Sequence, residues 1–238
     1  MTDYSTSSLQ CYCCGRSSEH AVLMSTNSFG SPDLDQRPAE MERSTIDSWL
    51  QECPHCGYVG ASIEQGDAQA RSFMDTEEFR AASLDSSSDP IIRRFLVHAA
   101  RQAHRGNRKS AFLDTLSAAW VADDKKQSLQ ATSLRLRAVA QLAGDRITSI
   151  DTRLLLLDVL RRASSWEAGE TLCAEMAAEE LEYPFAEIVS FHRGKIELRD
   201  NGCYTIAESL SGKPEPDACD TDPELIIHIA DASPDPPR

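Results

Sequence analysis

Cys11-Tyr12-Cys13-Cys14-Gly15 and Cys53-Pro54-His55-Cys56-Gly57-Tyr58 decide how this chain is read. Each is a C-x-x-C knuckle followed by glycine, and residues 15–52 separate them, 38 in all. A structural metal site takes four tetrahedral ligands, and thiolates suit zinc well. A knuckle supplies two sulfurs from one tight turn, and the following glycine lets the backbone curl so that N–H groups point at them. Two knuckles complete the set, so the candidate ligands are Cys11, Cys14, Cys53 and Cys56, holding one structural Zn2+ ion. Cys13 could replace Cys11 only with a strained adjacent-cysteine spacing, and is read as a free neighbour open to oxidation.

A set of four thiolates leaves no coordination position for water, which argues against metal-assisted hydrolysis. Cys53-Pro54-His55-Cys56 also has the form of a thioredoxin-type redox motif. That chemistry needs a helix N-terminus to lower a thiol pKa, and Gly57-Tyr58-Val59-Gly60 is a poor helix. His20 and His55 lie near the knuckles and are read as second-rank neighbours or surface residues. The acids Asp33, Asp35, Glu40, Glu42 and Asp47 are read as a solvated, turn-forming loop with Arg37 and Arg43 as partners, in preference to a hard-cation site.

Composition narrows the class. The 238 residues support one to two domains with a sizeable core, and mean hydropathy of −0.39 fits a soluble globular chain. No apolar run approaches the roughly 18 residues of a membrane span. The N-terminus, Met1-Thr2-Asp3-Tyr4-Ser5, has no basic region with an apolar run behind it, so no secretory signal is expected and the cytoplasm is the expected compartment. Net charge is −14, and residues 1–60 carry 8 acids against 3 bases. Phosphate-binding surfaces need clustered Lys and Arg, so this distribution argues against a nucleic-acid ribbon. Eight cysteines without a signal peptide point to metal rather than disulfides. Cys173, Cys203 and Cys219 are read as ordinary small residues.

Along the chain, residues 1–9 are polar and expected to fray. Residues 10–60 form the Cys module, with Ala21-Val22-Leu23-Met24 as its best strand, a turn-rich loop from Asn27 to Pro38, and a short strand or turn over Ile46–Glu52. Residues 61–89 read as a polar helical linker. Asp89 is a good N-cap and Pro90 suits the first helical position. Helical spacing then recurs from residue 90 to residue 211, as in Ile91, Ile92, Phe95, Leu96 and Ala99. Further helices carry Phe112, Leu116 and Trp120, then Leu134 and Val139 up to a Gly144 cap, then Leu154–Leu157. The last three begin at Ser165, at Pro184 and after Gly202. His98, His104 and His192 sit on these helices as core-edge or surface residues. Residues 212–238 form an acidic, Pro-rich tail. The turns Ala103–Asn107, Arg161–Trp166 and Arg199–Tyr204 share a texture: a helix, a tight turn of small residues, then a second helix. They resemble tetratricopeptide-type hairpins, although Ala111 and Ala168 are 57 positions apart rather than the ~34 of a regular repeat. The expected fold is mostly α: tetratricopeptide-like helical hairpins behind a small N-terminal zinc-ribbon-like β module.

The knuckles, the stretch Asn27–Pro38, Met41-Glu42-Arg43-Ser44-Thr45, Trp49–Tyr58 and Ala118–Asp124 together resemble an uncharacterised bacterial family of unknown function. Its members pair a two-knuckle zinc-ribbon-like head with tetratricopeptide-like helices. The resemblance spans most of residues 11–210 and implies a metal site on Cys11, Cys14, Cys53 and Cys56; it implies no reaction. Cys13 departs from that pattern. The resulting expectation is a zinc-stabilised, non-enzymatic adaptor whose helical groove takes a protein or peptide partner. A thiol-based redox sensor or enzyme is the alternative, and a nucleic-acid-associated ribbon the third reading.

Overall fold

A computed structural model describes residues 1–84 and 89–211. The expected tail and the residues 85–88 of the expected linker lie outside the described residues. The fold is mostly α, with small two-stranded sheets confined to the N-terminal region. By its contacts the chain divides into two units. Unit 1 comprises residues 1–31 and 37–144; unit 2 comprises residues 32–36 and those from 145 onward. The sequence expectation drew the boundaries elsewhere, separating a module 10–60 from helices 90–211. Packing puts the Cys head and the first five helices in one body and divides the helical region after Gly144.

Unit 1 opens with β1 (Asp3–Gln10) and β2 (Ser17–Ser25), an antiparallel hairpin with Ser5 opposite Val22 and Leu9 opposite Ser18. The N-terminus is therefore ordered as a strand where fraying was expected. Its Ser and Thr side chains hide the pattern, but the strand pairs with β2 from Asp3 to Gln10. The first knuckle is the turn of this hairpin. β3 (Ser28–Phe29) pairs with β4 (Glu40–Met41), and a short 3-10 helix covers Arg43–Ser48. β5 (Gln51–Glu52) pairs with β6 (Val59–Gly60), and the second knuckle is their turn.

The short helices α1 (Ala68–Met74) and α2 (Glu77–Ser83) are capped by Asp67 and Thr76, whose side chains accept from Ala70 N–H and Phe79 N–H. α3 (Pro90–His104) starts as its sequence predicts, with the Asp89 side chain accepting from Ile91 N–H. α4 (Arg108–Asp124) packs along both α3 and α5 (Ser128–Gln141). Its residues from Ser117 to Ala122 are buried on every side, as a middle helix requires. Leu142 caps α5, and Gly144 lies two residues further on with φ +84.

α3 carries the head. Trp49, just past the 3-10 helix, sits edge-on to Phe95 and Trp120, both with centroids at 6.4 Å, contacts worth about 0.5–1.5 kcal/mol each beyond burial. Arg93 grips Glu52 through two hydrogen bonds of 2.9 and 2.8 Å. Arg94 donates to the Leu50 carbonyl at 2.6 Å. Arg101, 8 % exposed, donates to the Tyr58 hydroxyl and the Val59 carbonyl.

Unit 2 contains α6 (Ile150–Arg162), α7 (Trp166–Ala177), α8 (Phe185–Glu197) and α9 (Ile206–Leu210), with Pro32–Gln36 threaded among them. Leu154, Leu157, Met176, Ile188 and Ile196 form its core together with Leu34. Four helices across the two units end alike. Gly106, Lys126, Ser164 and Arg199 follow α3, α4, α6 and α8 with positive φ. The next residue's N–H reaches back five positions in each: Asn107 to Gln102, Gln127 to Ala122, Ser165 to Leu160 and Asp200 to Lys195. This is the Schellman stop, and it accounts for the shared texture of the turns. The motif is set by backbone geometry, so only one of its four left-handed positions is glycine.

α6 and α8 bury charge. Asp158 and Arg161 pair at 2.6 Å with essentially no exposure. His192 is wholly buried beside them, and neither ring nitrogen has a hydrogen-bond partner among the described residues. This corrects the expectation of a core-edge or surface histidine. Burial first, and the Arg161 guanidinium second, hold its pKa down at about 3. The unfolded imidazole takes its proton near 6.5, so between 6.5 and 3 the unfolded chain binds more protons and falling pH favours unfolding. Asp158, raised by burial, acts in the opposite sense. Urea unfolding of wild type and His192→Leu between pH 7 and pH 4 separates the two: wild type loses more stability than the variant as pH falls, whereas parallel curves contradict a neutral buried His192.

Candidate metal centre

The two knuckles are built on one plan. Cys11 N–H donates to the Arg16 carbonyl at 2.9 Å, and Cys53 N–H to the Tyr58 carbonyl at 2.8 Å. Gly15 N–H returns to the Cys11 carbonyl at 2.8 Å, and Gly57 N–H to the Cys53 carbonyl at 2.9 Å. Both glycines are left-handed, with φ of +71 and +75, a conformation that costs other residues roughly 1–2 kcal/mol. A Cβ on Gly15 would meet nothing within 4 Å. The glycine is there for its backbone, not for lack of space.

These turns bring Cys11, Cys14, Cys53 and Cys56 together, with all four Sγ atoms within 4.8 Å of one another. Cys11 and Cys56 are 3.7 Å apart at sulfur, as are Cys14 and Cys53. Disulfide sulfurs would lie at about 2.05 Å. Four sulfurs tetrahedrally placed at a thiolate–metal distance of about 2.3 Å sit ~3.8 Å from one another. The spacing fits one ion at the centre. Each ligand contact crosses between knuckles, so neither hairpin completes the set alone.

The polar surroundings fit an ion as well. Burial pushes Cys11 and Cys56 up in pKa, and backbone N–H groups oppose it: those of Cys14 and Cys13 toward Cys11, and that of Tyr58 toward Cys56. The Arg16 N–H holds Cys14 below its ordinary value. The second cysteine of each knuckle thus receives the N–H two residues on. Buried thiols aimed at one point, with donors behind them, are a set whose protons a bound cation displaces.

Cys13 stands outside the four. It is half-buried against the small core of Cys11, Cys53, Tyr58, Ile63 and Ala70. Burial, then the neighbouring Cys11, pushes its thiol up to about 11. A protonated thiol is a poor nucleophile. His20 bonds Ser18 at 2.8 Å and His55 meets the Ser17 carbonyl at 3.2 Å, so each ring is turned to a partner of its own.

The inter-knuckle acids form the expected solvated loop only in part: Glu40 and Asp47 are exposed, but its middle is buried. Asp33 and Asp35 are 2 % and 0 % exposed. Asp35 pairs with Arg162, Arg37 with Asp124, and Arg43 donates to the Pro38 carbonyl. Glu40 accepts from Ser44 at 2.8 Å. Nor do His98 and His104 join a metal set among the described residues: His98 meets Asp114 at 2.7 Å and His104 packs at a tilt against Phe73.

Several residues that seat the knuckles carry no local signal in sequence. Tyr12 N–H donates to the Ile63 carbonyl at 2.8 Å, and Ile63 N–H to the buried Gln51 amide oxygen at 3.1 Å. Tyr58 donates to the Gln65 carbonyl at 2.7 Å. Arg71 lies 4.6 Å over the Tyr12 ring, and a Cβ on Gly66 would come within 2.4 Å of that ring. The signal for Gly66 lies in the fold, since only the packed ring explains the missing side chain.

Cys14→Ser and Cys56→Ser are expected to lose bound metal and unfold the head, whereas Cys13→Ser keeps both. Metal content by mass spectrometry and near-UV circular dichroism read the outcome, and metal loss in Cys13→Ser alone would overturn the ligand assignment. No family model, no curated protein and no solved structure matches this chain, so the chemistry of the centre rests on its own geometry.

Proposed function

We propose that this chain is a zinc-stabilised, non-enzymatic interaction protein: an adaptor whose head is folded by one structural Zn2+ ion and whose helices offer a surface to a protein or peptide partner. The observation that carries this reading is the closed set of four sulfurs. Four thiolates fill a tetrahedral shell and leave no position for a reacting water. Soft sulfur donors favour zinc among the abundant divalent ions.

The redox alternative fares worse at the second knuckle. Cys56 leads into β6 (Val59–Gly60), not into a helix whose N-terminus would lower a thiol pKa. The packed helix pairs α3–α4, α4–α5 and α6–α7 are compatible with an adaptor surface. A groove of about 580 Å³ opens in unit 1 beside α2, α3 and α5, lined by Ala82, Leu96, Ala100, Ala103, His104 and Arg137. No helix of the described residues is long and apolar enough to cross a membrane. A set of free thiols suits the cytoplasm.

Thiol titration and affinity capture test the reading together. One zinc per chain is expected, with four thiols protected until a chelator is added, and a partner recovered by the intact protein. A reactive dithiol pair, or turnover of a small substrate that depends on intact Cys53 and Cys56 with no partner recovered, would overturn it.

A further inference from the structure

Pro32–Gln36 makes within unit 2 the contacts that a bound peptide makes. Its backbone is held by one antiparallel bridge, Asp33 to Thr205, in which Leu34 N–H donates to the Tyr204 carbonyl at 2.9 Å and Ile206 N–H donates to the Pro32 carbonyl at 2.9 Å. Leu34 enters the core formed by α6, α7 and α8 and is 5 % exposed. The carboxylates on either side of it are buried too. Asp35 pairs with the Arg162 guanidinium, itself 8 % exposed, and Asp33 accepts from the Cys203 thiol at 3.2 Å. The segment leaves by a turn, with Gln36 N–H donating to the Asp33 carbonyl at 2.8 Å and Gln36 left-handed at φ +63.

An extended segment held by main-chain hydrogen bonds takes its specificity from the pockets its side chains enter. Here an apolar pocket takes leucine and a buried guanidinium takes the acid that follows it. Removing one partner of a buried ion pair is unfavourable, so the receptor favours an acid at that position. We infer that unit 2 is a receptor for an extended acidic segment of the form Asp-Leu-Asp, and that Pro32–Gln36 is its built-in occupant. The partner it fits is an acidic peptide of another protein that offers a leucine between two aspartates. The tethered segment competes at an effective concentration on the order of millimolar, so it holds the groove closed until a stronger or more abundant peptide displaces it. The inference rests on the adaptor reading and names the class of partner.

The test uses the full chain and a fluorescein-labelled peptide of residues 30–38, followed by anisotropy. Pro32→Gly, Asp33→Ser, Leu34→Gly, Asp35→Ser and Gln36→Gly together vacate the groove. The vacated chain is expected to bind the peptide, and wild type to bind it at least about tenfold more weakly. Peptides carrying Leu34→Ser or Asp35→Asn should each bind the vacated chain at least about tenfold more weakly. A vacated chain that keeps its helical circular dichroism yet binds no peptide, or binds all three alike, overturns the inference. If the vacated chain loses helix, the peptide must restore it, and failure to do so counts against the receptor. The milder Asp35→Asn chain should bind the peptide more tightly than wild type; equal binding contradicts the built-in occupant. Partners captured by the vacated chain that persist in excess peptide overturn the acidic-segment assignment and leave the adaptor reading standing. Cys-dependent turnover with no partner recovered contradicts the adaptor reading itself.

Discussion

Four cysteine sulfurs meeting at one point are the constraint on which the head depends. Bringing the knuckles together closes a loop of 38 residues, at an entropic cost of about 3 kcal/mol from its length. The apolar core beside the site is small, with Cys11, Cys53, Tyr58, Ile63 and Ala70 at its centre. Hydrophobic burial on that scale is weak against the order of 10–16 kcal/mol that zinc supplies to small thiolate modules. An ion held by the four sulfurs would therefore decide whether the knuckles hold together. The backbone has prepared for it by repeating the same turn twice and aiming its N–H groups at the sulfurs.

Once formed, the head is not left to itself. α3 presents Arg93, Arg94 and Arg101 along the β5–β6 hairpin, and Trp49 wedges between Phe95 and Trp120. The arginines neutralise one acid, Glu52, and otherwise satisfy carbonyls and a hydroxyl that burial would leave without partners. This explains how an acidic head coexists with a helix rich in arginine, and why the β5–β6 hairpin and α3 to α5 belong to one unit. In unit 2 the same economy of charge recurs more deeply, with Arg161 and Arg162 buried against Asp158 and Asp35.

Sequence made the four-cysteine cluster legible because the chemistry is local: C-x-x-C-G encodes a turn, and two turns bring four sulfurs together. The start of α3 was legible for the same reason, through Asp89 and Pro90. Long-range pairings were not. Nothing near Asp35 shows that its partner is Arg162, 127 positions away, so a polar loop rich in Pro and Asp reads as solvated when its middle is core. β1 was missed because Asp3–Gln10 alternates serine and threonine with few apolar residues, and its pairing comes from β2. The division after Gly144 was illegible because helices on both sides carry the same apolar periodicity. Only packing separates them.

X-ray absorption at the zinc edge, on protein purified without added metal, tests the central claim most directly. The account predicts a single shell of four sulfur scatterers at about 2.3 Å. Nitrogen or oxygen scatterers in that shell, or protein that carries no zinc and folds its head nonetheless, would contradict it.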